Sequence, residues 1–185
     1  MNHLATSKED ILAASRDLIK ENGWAAVSIR AVASRCSVSA GTIYNYYESK
    51  ADLLSDTIES IWHEIFFHLE DEQVFHDVES CISWIYERLE YGNRQFPGFF
   101  SLHSFGFMRD EKTSGKKRMM KTWGHILNGL CEVLGNDPKV RADVFDQEFT
   151  EKKFADILFS LILVSMIRQD YDPSSVLMLV KKTLY

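Results

Sequence analysis

The chain has 185 residues, of which 45% are hydrophobic and 26% are charged, a composition that indicates a globular protein and excludes a disordered one. Its formal net charge of −6 counts against a protein that binds nucleic acid over its whole surface. Residues 1–50, however, carry 6 basic and 5 acidic side chains, so the negative charge lies almost entirely in the rest of the chain.

The first predicted helix begins after Thr6 or Ser7, since both are good N-caps. Glu9 and Asp10 follow three residues later, in the arrangement of a capping box. Apolar residues then recur at helical spacing until Gly23, which ends the helix because glycine readily takes a left-handed conformation.

Two short helices follow, the first beginning at Ser28 and the second capped by Ser39. Only about three residues separate them, so together they predict a helix-turn-helix. The second helix has a small first turn around Gly41, which lets its amino end approach a flat surface. Ile43 and Tyr47 are left to face the core.

A further capping box at Ser49–Asp52 begins a long helix over residues 50–70, which spans about 30 Å and can tie a small head to a larger body. Helical stripes continue over residues 78–94, 116–135 and 148–169, and a last helix follows Asp172-Pro173. No convincing alternating strand occurs, so the sequence predicts an all-α fold.

Residues 158–167 are apolar all round, and such a helix must be covered on every side. A second subunit is the natural cover in a chain of this length. The alternative is a central core helix of a monomer.

The motif in residues 28–54, SIRAVASRCSVSAGTIYNYYESKADLL, resembles the TetR family of transcriptional regulators, and the resemblance extends back to about Ser7. It implies a three-helix DNA-binding head, residues 1–50, joined by a long helix to an effector-binding and dimerisation body, residues 51–185. The family often has glycine in the turn where this chain has Ser37, so Ser37 must adopt a conformation that glycine takes more cheaply. Tyr46 stands where histidine is common.

The resemblance also implies roles for side chains of the head. Contacts with DNA phosphates are expected from Ser28, Tyr44, Tyr46 and Lys50. Contacts with bases are expected from Ser39, Ala40, Thr42 and Asn45. Gly41 is expected to let the backbone approach DNA closely, and Arg30 could contact either a phosphate or a base. The alternative is that the exposed side chains are ordinary surface and that the serines are only helix caps.

An effector site in the body is implied as well, and the dense aromatic residues there fit a small apolar or aromatic ligand. The candidate lining consists of Trp84, Phe99, Phe100, His103, Phe107, Trp123 and His125, with the two histidines as polar anchors. The alternative is that these side chains are ordinary core.

No phosphate loop, nucleophile elbow, HExxH or paired CxxC motif occurs, so we expect no enzyme, cofactor or metal. Three scattered cysteines indicate a reducing compartment, and a polar start without a long apolar run predicts neither a signal peptide nor contact with a membrane. The expected protein is a cytoplasmic repressor that binds a palindromic double-stranded operator as a homodimer through its last two helices, about residues 148–184, and is released by its effector. Alternatives are a regulator controlled by a protein partner and a small-molecule enzyme or carrier with a vestigial head.

Overall fold

The computed structural model describes residues 6–66, 75–100 and 114–185, with the side chains of the last range described from residue 123 onward. All regular structure in these ranges is helical, which confirms the predicted all-α class. The helices are α1 (Lys8–Asn22), α2 (Ile29–Arg35), α3 (Ala40–Tyr44), α4 (Lys50–Phe66), α5 (Val78–Gln95), α6 (Ser114–Asn136), α7 (Glu151–Arg168) and α8 (Ser174–Leu184), with a 3-10 turn at Trp24–Ala26.

The described residues form two compact units. The first contains α1 to α4 together with residues 92–100 and 114–119. The second contains residues 75–91 and 120–185. This division follows packing, whereas the predicted functional boundary after residue 50 stays a prediction.

Local side-chain caps fix the helix starts in the head. Ser7 and Asp10 form the predicted capping box at the start of α1, and Gly23 ends that helix with a φ of 76°. Ser28 and Ser39 begin α2 and α3 as predicted, each accepting a backbone N–H from three residues later at 3.1 Å. Short polar side chains therefore satisfy amide groups that would otherwise lack partners at the first turns.

The turn between α2 and α3 contains the backbone conformation that the sequence predicts. Ser37 has a φ of 56°, in the left-handed region that favours glycine. Directly after it, the Val38 amide donates a 2.9 Å hydrogen bond back to the Ala33 carbonyl, which closes the end of α2.

An aromatic core fills the first unit. Trp62 on α4 lies 5.5 Å from Phe99 and 5.6 Å from Phe100, measured between ring centroids, and Trp24 lies 6.2 Å from Phe99. Phe96 lies 6.3 Å from Phe99 and is fully buried. Such tilted and edge-on contacts are the favoured geometries of aromatic pairs.

Gly92 permits a close approach between α5 and α4 in the same core. A Cβ atom at this position would lie 2.6 Å from Ile65 Cδ1 and 3.1 Å from Phe100 Cζ. Both neighbours are buried, so the absence of a side chain at residue 92 is a packing requirement.

The buried carboxylate of Asp137 holds three elements of the second unit together. It accepts hydrogen bonds from the Val78 and Lys139 amides, both at 2.9 Å, and from the Tyr185 hydroxyl at 2.5 Å. The start of α5 and the end of α6 are thereby tied to the residue that follows α8.

Helices α7 and α8 present aliphatic side chains to solvent in this single chain. One side of α7 is buried, including Leu158 and Ile162, whereas the apolar residues on its other side are exposed in the single chain. The exposed aliphatic residues, called the apolar face below, are Ile157, Val164, Ile167, Met178 and Leu179. No helix in the described part of the chain combines the length and the apolarity needed to cross a membrane.

Candidate nucleic-acid interface

The recognition helix α3 has one buried and one exposed side. Ile43 and Tyr47 are buried, as predicted for core positions. Tyr44 and Asn45 lie on the opposite side and are exposed, Tyr44 to 55%. The hydrogen-bonding side chains of this helix are therefore available to a ligand outside the protein.

The amino end of α3 is small and polar. Ser39 Oγ and Thr42 Oγ1 lie 3.0 Å apart, which holds the two predicted base-contacting hydroxyls together. Between them stand Ala40 and Gly41, and a Cβ atom at Gly41 would meet only Ser39 Oγ, at 3.5 Å. No bulky side chain of the helix's first turn keeps a flat surface away from these hydroxyls.

The basic residues of the head divide into ion-paired and unpaired members. The paired set consists of Lys8 with Asp56 at 2.5 Å, Arg16 with Glu9 and Glu64 at 2.9 and 3.2 Å, Lys20 with Glu64 at 2.7 Å, and Arg35 with Glu21 at 2.5 Å. Arg30 and Lys50 are exposed and make no ion pair within the described residues. The two cations that the sequence assigns to DNA are thus the ones whose charge is not neutralised.

Ion pairs join α1 to α4 in matching register. Lys8 and Arg16 lie eight positions apart on α1, and their partners Asp56 and Glu64 lie eight positions apart on α4. The sequence analysis did not identify this ladder, although opposite charges repeated at one spacing on two helices were a usable signal. The ladder pairs the charges of Lys8 and Arg16 with carboxylates inside the protein.

Arg35 is exposed and is paired with two carboxylates of α1. Its guanidinium donates two hydrogen bonds to Glu21, at 2.8 and 2.5 Å, and lies 3.8 Å from Asp17. These hydrogen bonds from Arg35 hold the pKa of the Glu21 carboxyl below its ordinary value. Arg35 therefore braces the end of α2 against α1.

Tyr46 is engaged within the protein. Its hydroxyl donates a hydrogen bond to the carbonyl oxygen of Thr6, directly before the cap of α1. No sequence pattern indicated this contact, because the partner is a backbone group 40 positions away.

The predicted effector residues fall into separate groups. Phe99 and Phe100 are buried in the first unit, whereas Trp84 and Trp123 lie half-buried in the second. Trp84 packs on Phe75 at 5.3 Å and Trp123 on Phe159 at 5.8 Å. His125 is exposed, and His103 and Phe107 lie outside the described residues.

Within the ranges that the structure describes, no three His, Cys, Asp or Glu side chains come close enough to hold a metal ion. Burial raises the pKa of the thiols of Cys36, Cys81 and Cys131, in the case of Cys81 to about 12. The three thiols are therefore protonated and weakly nucleophilic at neutral pH.

Residues 11–57 match the model of the bacterial regulatory proteins of the tetR family. The head is therefore similar to the heads of tetR-family regulators. Over 48 residues the chain is 38% identical to the HTH-type transcriptional regulator UidR of Escherichia coli K12, and these residues are 26% of this chain and 24% of UidR. The match thus spans about a quarter of the length of UidR. The resemblance to the tetR family that the sequence indicated is therefore supported for the head.

Solved structures extend the likeness in fold to the whole chain. A transcriptional regulator from Rhodococcus sp. Rha1 gives a TM-score of 0.65 at 19% identity, with 91% of this chain and 86% of that chain covered. Bacillus subtilis FadR in complex with stearoyl-CoA gives a TM-score of 0.66 at 17% identity, with 97% of this chain and 100% of FadR covered. Salmonella enterica GusR gives a TM-score of 0.60 at 18% identity, with 95% of this chain and 94% of GusR covered. At these identities the similarity shows the fold alone: a helix-turn-helix head and a helical body.

Proposed function

We propose that the protein is a transcriptional repressor that binds a palindromic operator as a homodimer and leaves it when a small apolar or aromatic effector binds the body. The observation that carries the DNA-binding part is the charge pattern of the head. Arg30 and Lys50 are exposed and make no ion pair among the described residues, whereas the other four cations of the head are paired with carboxylates.

Both unpaired cations lie at helix starts. Arg30 is in the first turn of α2, and Lys50 is the first residue of α4. Helix amino ends carry a partial positive charge, which adds to that of the side chains and favours phosphate groups. Neutralising phosphates releases condensed counterions from DNA, so this surface gives salt-dependent affinity in spite of the negative net charge.

Base reading is proposed for the small end of α3. Ser39, Thr42 and Asn45 offer hydroxyl and amide groups, which can both donate to and accept from base edges in the major groove. Ala40 adds a methyl group, and Gly41 lets the backbone come close. Ser28 and Tyr44 then contribute phosphate contacts at the edges of the recognition helix.

The apolar face supports the homodimer. Val164 and Ile167 are 45% and 50% exposed in the single chain, and Met178 is 57% exposed. Exposed aliphatic side chains of this size cost free energy in water, and several of them on neighbouring turns of a helix are typical of a subunit interface. Two copies joined there would place two heads on half-sites about 34–36 Å apart, or a multiple of that spacing.

Effector binding is proposed for the second unit. Trp84 and Trp123 retain partial exposure there, and each packs against one phenylalanine. The structurally similar FadR was solved with stearoyl-CoA, which favours an apolar chain as the first ligand class to test. The effector acts by binding more tightly to a head spacing that the operator does not fit.

A salt titration tests the DNA-binding part. The wild-type protein first selects its duplex from a randomised library, and its affinity for that duplex is then measured by fluorescence anisotropy between 50 and 200 mM salt (about the range in which phosphate contacts show). Arg30→Ala and Lys50→Ala should each weaken binding by about 1–3 kcal/mol and lower the steepness of the log–log salt dependence by about one.

Arg35→Ala is the matched control, because it removes a head cation that is already neutralised by Glu21. It should leave the salt dependence unchanged. A loss of slope in Arg35→Ala equal to that in the other two variants would contradict the proposed division of charges.

Titration with stearoyl-CoA and with free stearic acid tests the effector part. Binding near Trp84 or Trp123 should change tryptophan fluorescence and release the selected duplex, and Trp84→Phe and Trp123→Phe identify which indole reports it. Ligand binding without any loss of DNA affinity would contradict control of the head by this ligand class.

A further inference from the structure

We propose that Tyr46 is a positioning residue for DNA recognition, whose hydroxyl anchors the end of the recognition helix to the start of α1 instead of contacting a phosphate. The inference rests on the proposed DNA-binding function and assigns to Tyr46 a role different from that of its near neighbour Tyr44. The hydrogen bond from the Tyr46 hydroxyl to the Thr6 carbonyl is the observation that carries it.

Helix α3 needs anchors from outside, because it has only five residues. Isolated helices shorter than about 12 residues are marginal in water, so the position of α3 depends on tertiary contacts. Ile43 and Tyr47 supply apolar contacts from the buried side. Tyr46 follows the helix by two residues and adds a directional hydrogen bond to a separate element.

The acceptor of this hydrogen bond is itself firmly held. Thr6 is only 8% exposed and directly precedes the capping box of Ser7. Lys8, two residues further on, forms an ion pair with Asp56 at 2.5 Å and lies 5.6 Å from the centre of the Tyr47 ring. The Tyr46 hydroxyl is therefore tied to a point that is fixed to both α1 and α4.

Hydrogen-bond chemistry separates the two exposed tyrosines. A phenolic hydroxyl has one hydrogen to donate, and a phosphodiester offers only acceptors. Tyr46 donates that hydrogen to Thr6, so it would have to release α1 in order to donate to DNA. Tyr44 is 55% exposed and makes no hydrogen bond through its hydroxyl to any described residue, so it keeps its donor for phosphate.

Tyr46→Phe and Tyr44→Phe form a matched pair, since each removes one hydroxyl and keeps the ring. Amide hydrogen exchange of the free protein is the first readout. Tyr46→Phe should speed exchange in α3 and in the first turn of α1, and Tyr44→Phe should leave both segments unchanged.

Affinity and phosphate ethylation interference on the wild-type-selected duplex are the second readout. Both variants should lose roughly threefold to tenfold in affinity, the equivalent of one hydrogen bond. Tyr44→Phe should become insensitive to ethylation of one phosphate. Tyr46→Phe should show the same ethylation pattern as the wild type, because it acts on the helix and not on the backbone of DNA.

Two results would overturn the proposal. The first is a Tyr46→Phe variant that becomes insensitive to ethylation of one phosphate while its amide exchange is unchanged, and the second is faster exchange with unchanged affinity. The wild-type titration is read before either variant. A wild-type protein without salt-dependent affinity for its selected duplex would refute the proposed function itself, and this outcome is distinct from a failure of the Tyr46 assignment alone.

Discussion

The two units of the molecule differ in how far their large apolar side chains are exposed to solvent. The first packs Trp62, Phe96, Phe99 and Phe100 into a core where each is at most 3% exposed, and its surface around α3 is polar. The second leaves the apolar face of α7 and α8 in contact with solvent. A closed core with a polar surface suits the proposed DNA ligand, whereas the exposed aliphatic side chains of the second unit suit the proposed subunit interface.

The largest expected effect comes from placing a charge in the apolar face. Val164→Asp would force an unpaired carboxylate into the proposed subunit interface, and we expect self-association to weaken by about 2 kcal/mol or more, roughly 30-fold. Sedimentation equilibrium measures the change. Gln147→Glu adds the same charge at an exposed site in the loop before α7 and should leave the dimer intact. Equal dissociation of both variants would show that the face is not the interface.

A smaller effect should follow from filling the close contact in the first unit. Gly92→Ala places a Cβ 2.6 Å from Ile65 Cδ1, and overpacking of about 1–3 kcal/mol outweighs the gain in helix propensity of up to about 1 kcal/mol. We expect a net loss of about 1–2 kcal/mol in the free energy of unfolding, measured in urea. Gly124→Ala in α6 meets nothing within 4 Å and should be neutral or stabilising. A stabilised Gly92→Ala variant would mean that this core is looser than the distances indicate.

The smallest effect compares one strained residue in each unit. Ser37 in the first unit and Gln169 in the second have φ values of 56° and 53°. Ser37→Gly and Gln169→Gly should each raise the free energy of unfolding by roughly 0.5–1 kcal/mol, because glycine takes this conformation without a steric penalty. Thermal unfolding at fixed protein concentration checks both. Destabilisation by Ser37→Gly would indicate that its side chain contributes more to the turn than its backbone costs.

The sequence sufficed for features that depend on neighbouring residues. The serine caps and the end of α1 at Gly23 follow from local chemistry over three or four positions, and the structure confirms them. The left-handed Ser37 was implied by the family resemblance, and its φ of 56° confirms it. The exposed and buried sides of α3 follow from helical periodicity in the same way. The roles of its exposed residues on DNA remain proposals.

Other features depend on which segments meet in space, and periodicity does not contain that information. Phe99 and Phe100 belong to the first unit and Trp84 and Trp123 to the second, and their grouping in one effector site stays a prediction. The ion pair between Arg35 and Glu21 joins two helices, and it could not be predicted from composition because composition does not say which charges meet. The net charge of the head was therefore less informative than the identity of its two unpaired cations.

The equal spacing of charges along α1 and α4 has a mechanical consequence. Sliding α1 by one helical turn, about 5.4 Å, would carry both Lys8 and Arg16 away from their carboxylates at the same moment. The two ion pairs therefore favour the same alignment of α1 along α4. We therefore expect a change in the orientation of α4 to be passed on to α1 at two points of contact, eight positions apart along each helix.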